Sequence, residues 1–226
     1  MKTSIIVFIG VILSGTMAVA ASSPMQAAPG GRGLGRGGNC PGACLAIDAT
    51  SLAPLSLSVA AREALLFQIE EERMARELYA AFGERWSLRP FANIPVSEAR
   101  HEAVLRQLAA RAGITPPAAA AGVFANAEVQ RRYHEILALG QGSAPAALRA
   151  GALVEETDIA DLRAMARTTD DPTLRATIAA LERASENHLR AFVRNLRMRG
   201  ITYQPVVLAT DDYQSIVAAR GQKRGR

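Results

Sequence analysis

The chain has 226 residues, a formal net charge of +5 and 5% aromatic residues. The excess charge sits at the ends: Lys2, Arg32, Arg36, Arg220, Lys223, Arg224 and Arg226 are basic, and residues 37–219 hold 19 basic against 21 acidic residues, a net −2. With no basic face and no stacking aromatics, nucleic-acid binding is not expected, and the basic ends read as solvated tails.

In chain order, Lys2 precedes an apolar run, and Ala18-Val19-Ala20 supplies a small-residue cleavage site. Residues 1–20 therefore read as a secretory signal peptide. An uncleaved anchor fits less well, because the run is short and no stop-transfer charges follow it. The mature protein is expected to be exported, periplasmic or secreted, with no stable membrane insertion. Residues 21–55 form a Gly/Pro-rich stretch read as a flexible arm. It holds Cys40 and Cys44, the chain's two cysteines. An oxidising compartment favours a local disulfide over a metal clip, since CxxxC alone offers two ligands.

Residues 56–213 read as one all-α domain, rich in Ala, with little period-2 alternation. A first helix is expected over Val59–Phe82, and "PFANIPVS" ends the connection after it. A second runs from Ser97 to Ala112, stopped by "GITPP". The long connection that follows holds a short helix, Glu128–Leu139. A third helix starts after Ser143, with Pro145 in an opening position, and runs to Arg167. After "TTDDP" a fourth runs from Thr173 to Arg199, closed by Gly200. Residues 214–226 read as a basic tail. Two helical hairpins joined by a long crossover between helices 2 and 3 are the ferritin-like form of the four-helix bundle.

Helical phase then sorts the polar residues. Glu72 shares a face with Leu65, Ile69, Ala75 and Tyr79, while Glu70 lies on the far side. Glu98 and His101 are three apart and share a face with Leu105 and Leu108. Glu155 projects between Ile159 and Leu162, and Asp158 lies beside it. Glu156 leans toward Arg163 and Arg167 and is expected in solvent. His188 faces inward with Leu181, Ser185, Phe192 and Leu196. His134 is expected on the surface. Each of these is ordinary alone. Together they would cost several kcal/mol apiece if buried without compensation, which a pair of divalent ions supplies. Di-iron and di-manganese bundles use one Glu from each of two helices and Glu-x-x-His from each of the other two. Glu98-x-x-His101 is one complete motif; Ser185 stands where the Glu partner of His188 belongs.

"EERMARELY" and "SEARH" resemble the first two helices of rubrerythrins. "GVFANAEVQ", "GALVEETDIADL" and "NHLRAFVRNL…GITYQP" resemble a ferritin-like family of unknown function close to rubrerythrin, over residues 56–213. The resemblance implies a ferritin-like bundle with a carboxylate-bridged metal site and Glu72, Glu98, His101, Glu155 and His188 as ligands. Ser185 departs from that pattern, and Asp158 or Glu182 would have to fill the gap. A rubredoxin-type module of four cysteines is missing.

Carboxylates and imidazoles suit Fe(II), Mn(II) or Zn(II). Three functional readings stand. The first is a di-iron or di-manganese protein with ferroxidase or peroxidase-type activity toward dioxygen or peroxide, in which Tyr79 holds a ligand carboxylate. The second is a non-catalytic binder of one metal on Glu98, His101, Glu155 and His188, for sequestration or stability. The third is a metal-free helical interaction module.

Overall fold

The computed structural model describes residues 54–219. The expected signal peptide, residues 21–53 of the arm and the Cys40–Cys44 pair lie outside the described residues, as do residues 220–226. The described residues form six α-helices and no strand: α1 Val59–Trp86, α2 Arg89–Arg111, α3 Ala127–Gly140, α4 Ala144–Ala166, α5 Pro172–Arg197 and α6 Thr210–Ala218. None is long and apolar enough to cross a membrane.

Helix starts follow local chemistry. Ser58, Asn126, Ser143 and Asp171 each accept a backbone N–H of the first turn, which would otherwise lack a partner. Pro residues open α2, α4 and α5, where the missing N–H costs nothing. The expected break at "PFANIPVS" is absent. α1 continues to Trp86, Ser87 closes it with a left-handed φ of 48°, and α2 starts at Arg89. Pro95 sits inside α2, where it leaves the Phe91 carbonyl without its usual i+4 donor. Gly83 packs over that carbonyl; a Cβ there would lie 3.2 Å from it.

The two-residue link, Ser87 and Leu88, lays α2 back on α1. Residues 167–171 do the same for α4 and α5. α1 also packs on α4 and α2 on α5, with α3 against α1 and α4, and α6 against α5. The stretch between α2 and α3 is fastened by the outer face of α1. Glu70 accepts from the N–H groups of Ala125 and Asn126 at 2.8 and 2.7 Å, Glu77 from Gly122 N–H at 2.7 Å, and Arg73 donates to the carbonyls of Ala119 and Val123.

The apolar core has two parts. One gathers Leu65, Ile69, Leu105, Leu108, Leu162, Leu174 and Ile178. The other holds Leu78, Tyr79, Phe82, Phe91, Ile159 and Phe192, whose rings meet at centroid distances of 5.2–6.1 Å. Gly140 and Gly151 make room for it; Cβ atoms there would come within 2.2 Å of Phe82 and 2.5 Å of Phe192. Along α1, α2 and α5 the two apolar sets are separated by polar residues: Glu72, then Glu98 and His101, then Ser185 and His188.

Candidate metal centre

Each of the four long helices brings one or more polar side chains into the layer between the two apolar sets. Glu72 comes from α1, Glu98 and His101 from α2, Glu155 and Asp158 from α4, and His188 from α5. Glu72, Glu98, His101, Glu155 and Asp158 are all buried, and His188 is nearly so. The two imidazoles stack with centroids 5.6 Å apart and planes 20° apart.

Glu98 is the hub. Its Oε2 lies 2.7 Å from His101 Nδ1 and its Oε1 lies 2.8 Å from His188 Nδ1. Each imidazole meets a further carboxylate: Glu72 Oε2 is 3.2 Å from His101 Nδ1, and Glu155 Oε2 is 3.5 Å from His188 Nδ1. Two groups able to hold a metal ion result, Glu72–Glu98–His101 and Glu98–Glu155–His188, which share Glu98. A cavity of about 10 Å³ lies against Glu72, Glu98, Glu155 and Asp158, the scale of a single water or ion.

Residues 61–220 match the family described as "Uncharacterized protein domain (DUF2202)". The chain belongs to this family. It is 33% identical over 180 residues to "Uncharacterized protein MJ0754" of Methanocaldococcus jannaschii, covering 77% of this chain and 97% of that protein. The crystal structure of hypothetical protein MJ0754 superimposes with a TM-score of 0.73 at 32% identity, covering 76% of this chain and 99% of that one. A DUF2202 fold is thus shared across these chains, and the buried polar layer is read on that scaffold.

Donor atoms at the centre of this DUF2202 domain are left over. Glu72 Oε1, Glu98 Oε1 and His188 Nδ1 are buried without an aligned hydrogen-bond partner. Glu98 Oε1 and His188 Nδ1 lie 2.8 Å apart as an ion pair, without the alignment of a hydrogen bond. Orphaned buried donors and acceptors are costly, and a cation between them removes the cost. By that test the residues fit a metal.

Electrostatics agree. Burial alone would raise the Glu98 carboxyl, but the imidazoles of His188 and His101 outweigh it and hold it at about 2. Burial would lower His101, yet Glu72 and Glu98 raise it to about 10. His188 is likewise raised, by Glu155 and Glu98 against burial. Burial lifts Glu155 to about 7 and Asp158 to about 6. Burial and the charge of Asp158 push Glu72 well up. Protons here neutralise a cluster of carboxylates, a task a divalent ion also performs.

Around the centre, the Tyr79 hydroxyl donates to Glu155 Oε1 at 2.6 Å. His101 Nε2 lies 3.1 Å from Ser97 Oγ. Asp158 accepts from Ser185 Oγ and from Gln68 Nε2, each at 2.5 Å. Glu182 is turned away, paired at 2.6 Å with Arg163. His134 is exposed on α3.

At the site, the expectation for Glu156 is corrected. Glu156 is not a solvated residue beside Arg163 and Arg167. It is fully buried, with Oε2 accepting from Val206 N–H at 2.8 Å, Val207 N–H at 3.2 Å and the Tyr203 hydroxyl at 3.2 Å. The segment after α5 folds back over this face of α4, which helical phase alone leaves open to water. Gln68, Ser97 and Glu71 were not singled out from the sequence. Ser97 stands four before His101 and Gln68 four before Glu72, so their i,i+4 relation to the site residues was the available signal.

Proposed function

We propose that this protein is an exported, ferritin-like relative of rubrerythrin. Its four long helices form a four-helix bundle around a carboxylate-bridged pair of iron or manganese ions, with ferroxidase or peroxidase-type activity. The observation that carries the reading is Glu98, whose two oxygens stand 2.7 and 2.8 Å from the Nδ1 atoms of two different imidazoles. Each imidazole has its own second carboxylate, so two three-ligand groups share one bridging residue. That is the donor set a bridged ion pair needs, and it differs from the single cluster of four expected of a one-metal site.

When bound, two redox-active ions supply the electron pair that peroxide or dioxygen reduction takes. Zinc fits the donors but has no redox chemistry. The chain's own residues do the rest. With a metal bound, Ser97 Oγ, 3.1 Å from His101 Nε2, would accept its N–H and so leave the Nδ1 lone pair to the ion. Tyr79 holds Glu155 by one oxygen and leaves the other beside His188. Asp158, gripped by Ser185 and Gln68, adds a carboxylate next to the centre where α5 carries Ser185 in place of Glu. The packed rings of Phe91 and Phe192 keep bulk water from one side.

The test is metal analysis of protein purified without a His-tag, then the near-UV spectrum after Fe(II) and peroxide are added. Two irons per chain with a new near-UV band are expected. One metal with no redox response would replace this reading with a single-metal binder, and no metal with a metal-free helical module.

A further inference from the structure

Glu71, next to Glu72 on α1, is a buried carboxylate that the two three-ligand groups do not use. It is 3% exposed, lines the same small cavity as Glu72, Glu98 and Asp158, and its Oε2 has no partner. Its other oxygen accepts from Arg132 Nη1 at 2.5 Å. That guanidinium belongs to α3, lies over Phe67, and also reaches Asp161 Oδ2 at 2.7 Å and Glu128 Oε1 at 3.0 Å. The carboxylates thus form a file of decreasing exposure. Glu128 is 41% exposed at the side chain, Asp161 28% and Glu71 3%. Arg132 sits across the middle of it, and Arg131 pairs with Glu128 at its outer end, Nη2 to Oε1 at 2.6 Å.

We propose that this file is the path by which divalent cations reach the centre, with Glu71 as the inner relay ligand and Arg132 as the displaceable stopper. The inference rests on the metal-centre reading above. Three observations carry it. The cavity at the centre is small and walled by buried side chains, so an ion reaches it by passing between them. Glu71 bridges the two environments, one oxygen on Arg132 and the other unpartnered in a residue that lines the cavity. An arriving dication can replace the guanidinium at Glu71 and Asp161, because both carboxylates exchange one cation for another. No bond other than metal–ligand contacts forms or breaks. The alternative route is the open groove of about 760 Å³ between α2 and α5, lined by Val104, Ala176, Ala180 and Leu181. That groove reaches His101, whose Nδ1 is already turned inward toward Glu72 and Glu98.

Cobalt(II) uptake by the full-length apo-protein tests this, read by stopped-flow visible absorption, with equilibrium stoichiometry and melting temperature measured alongside. Glu71→Gln and Asp161→Asn are expected to slow uptake on the order of tenfold, the scale of charge effects on association rates, while two ions still bind at equilibrium. Arg132→Gln is expected to speed it, which a merely structural arginine would not do. Ala176→Trp, filling the groove, is expected to leave the rate unchanged. Should Glu71→Gln fail to fold, Asp161→Asn and Arg132→Gln decide the matter from the exposed end. Wild-type rates in Glu71→Gln or Asp161→Asn with two cobalt ions bound, no acceleration in Arg132→Gln, or slowing by Ala176→Trp, would each overturn the path and leave the metal centre standing. No cobalt uptake by the wild-type protein would overturn both.

Discussion

Ser185 on α5 donates its hydroxyl to Asp158 on α4 across 2.5 Å, with both side chains buried. The residue that breaks the second Glu-x-x-His pattern therefore anchors a carboxylate from the neighbouring helix. Gln68 holds the other oxygen of that carboxylate. The buried acids of the polar layer thus come from α1, α2 and α4, while α5 contributes Ser185 and His188.

Ser185→Glu should therefore act differently with and without metal. In the apo-protein the new carboxylate would face Asp158, and a buried like-charge pair is destabilising. The melting temperature of apo Ser185→Glu is expected to fall by several degrees, corresponding to about 2 kcal/mol. Adding Mn(II) should restore most of it, because the added ligand tightens binding of the ion beside His188. Thermal melts with and without Mn(II) check this. An apo melting point equal to wild type, or no extra metal response, would disconnect Ser185 from the site.

Tyr79→Phe removes the donor to Glu155 Oε1 without opening a cavity. A buried hydrogen bond to a charged acceptor contributes about 1.5–3 kcal/mol, and loss of a partner that orients a ligand costs roughly 10–100-fold in metal affinity. The variant should fold and should lose affinity for the ion at Glu155 and His188 selectively. A titration with Mn(II) that retains both affinities would show that the Tyr79 hydroxyl matters only for packing.

Glu156→Ala should destabilise without touching metal stoichiometry. It strips the acceptor from Val206, Val207 and Tyr203 and leaves buried donors unsatisfied, at about 1–3 kcal/mol. The expected signature is faster proteolysis or hydrogen exchange over residues 203–208, with metal content unchanged. Loss of metal in this variant, with the C-terminal segment still protected, would reverse the assigned roles of Glu155 and Glu156.

Stability of the apo-protein should fall as pH rises. Glu155, at about 7 against an ordinary 4.5, keeps a proton in the folded state that the unfolded chain has lost between those values. His101, at about 10 against 6.5, does the same over its own window, so its contribution is full below 6.5 and gone once pH has passed 10. In both windows the folded state binds more protons, and stability declines with pH. Glu98, at about 2 against 4.5, works oppositely, and its contribution is lost as pH falls through that range. The apo optimum therefore lies near about pH 4–5. Metal displaces the imidazole protons, so the gap between loaded and apo melting temperatures should widen from about pH 5 to 8, with protons released on binding at neutral pH. Calorimetry in two buffers of different ionisation heat measures that release. A metal-binding step that releases no proton would contradict the raised imidazoles.

Helical periodicity alone determined that Glu72, Glu98, His101, Glu155 and His188 point inward, because the side of a helix a residue occupies depends only on its own helix's phase and its apolar neighbours. The helix starts after Ser143 and after "TTDDP" were legible for the same reason: a helix start is set by residues within one turn. Proline misled at "PFANIPVS", since the early turns of α2 tolerate Pro90 and the close approach of Gly83 accommodates the carbonyl that Pro95 leaves free. Glu70, Glu71 and Glu72 are consecutive, so no single helical face could bury all three. Their burial required the stretch before α3 on one side, Arg132 of α3 on another and the polar layer on the third. Glu156 likewise became an interior residue only when the chain after α5 folded back onto α4, a contact across 50 positions in sequence. Whether a polar residue off the apolar stripe meets water or another segment is decided by which distant backbone covers it, and tertiary packing alone sets that.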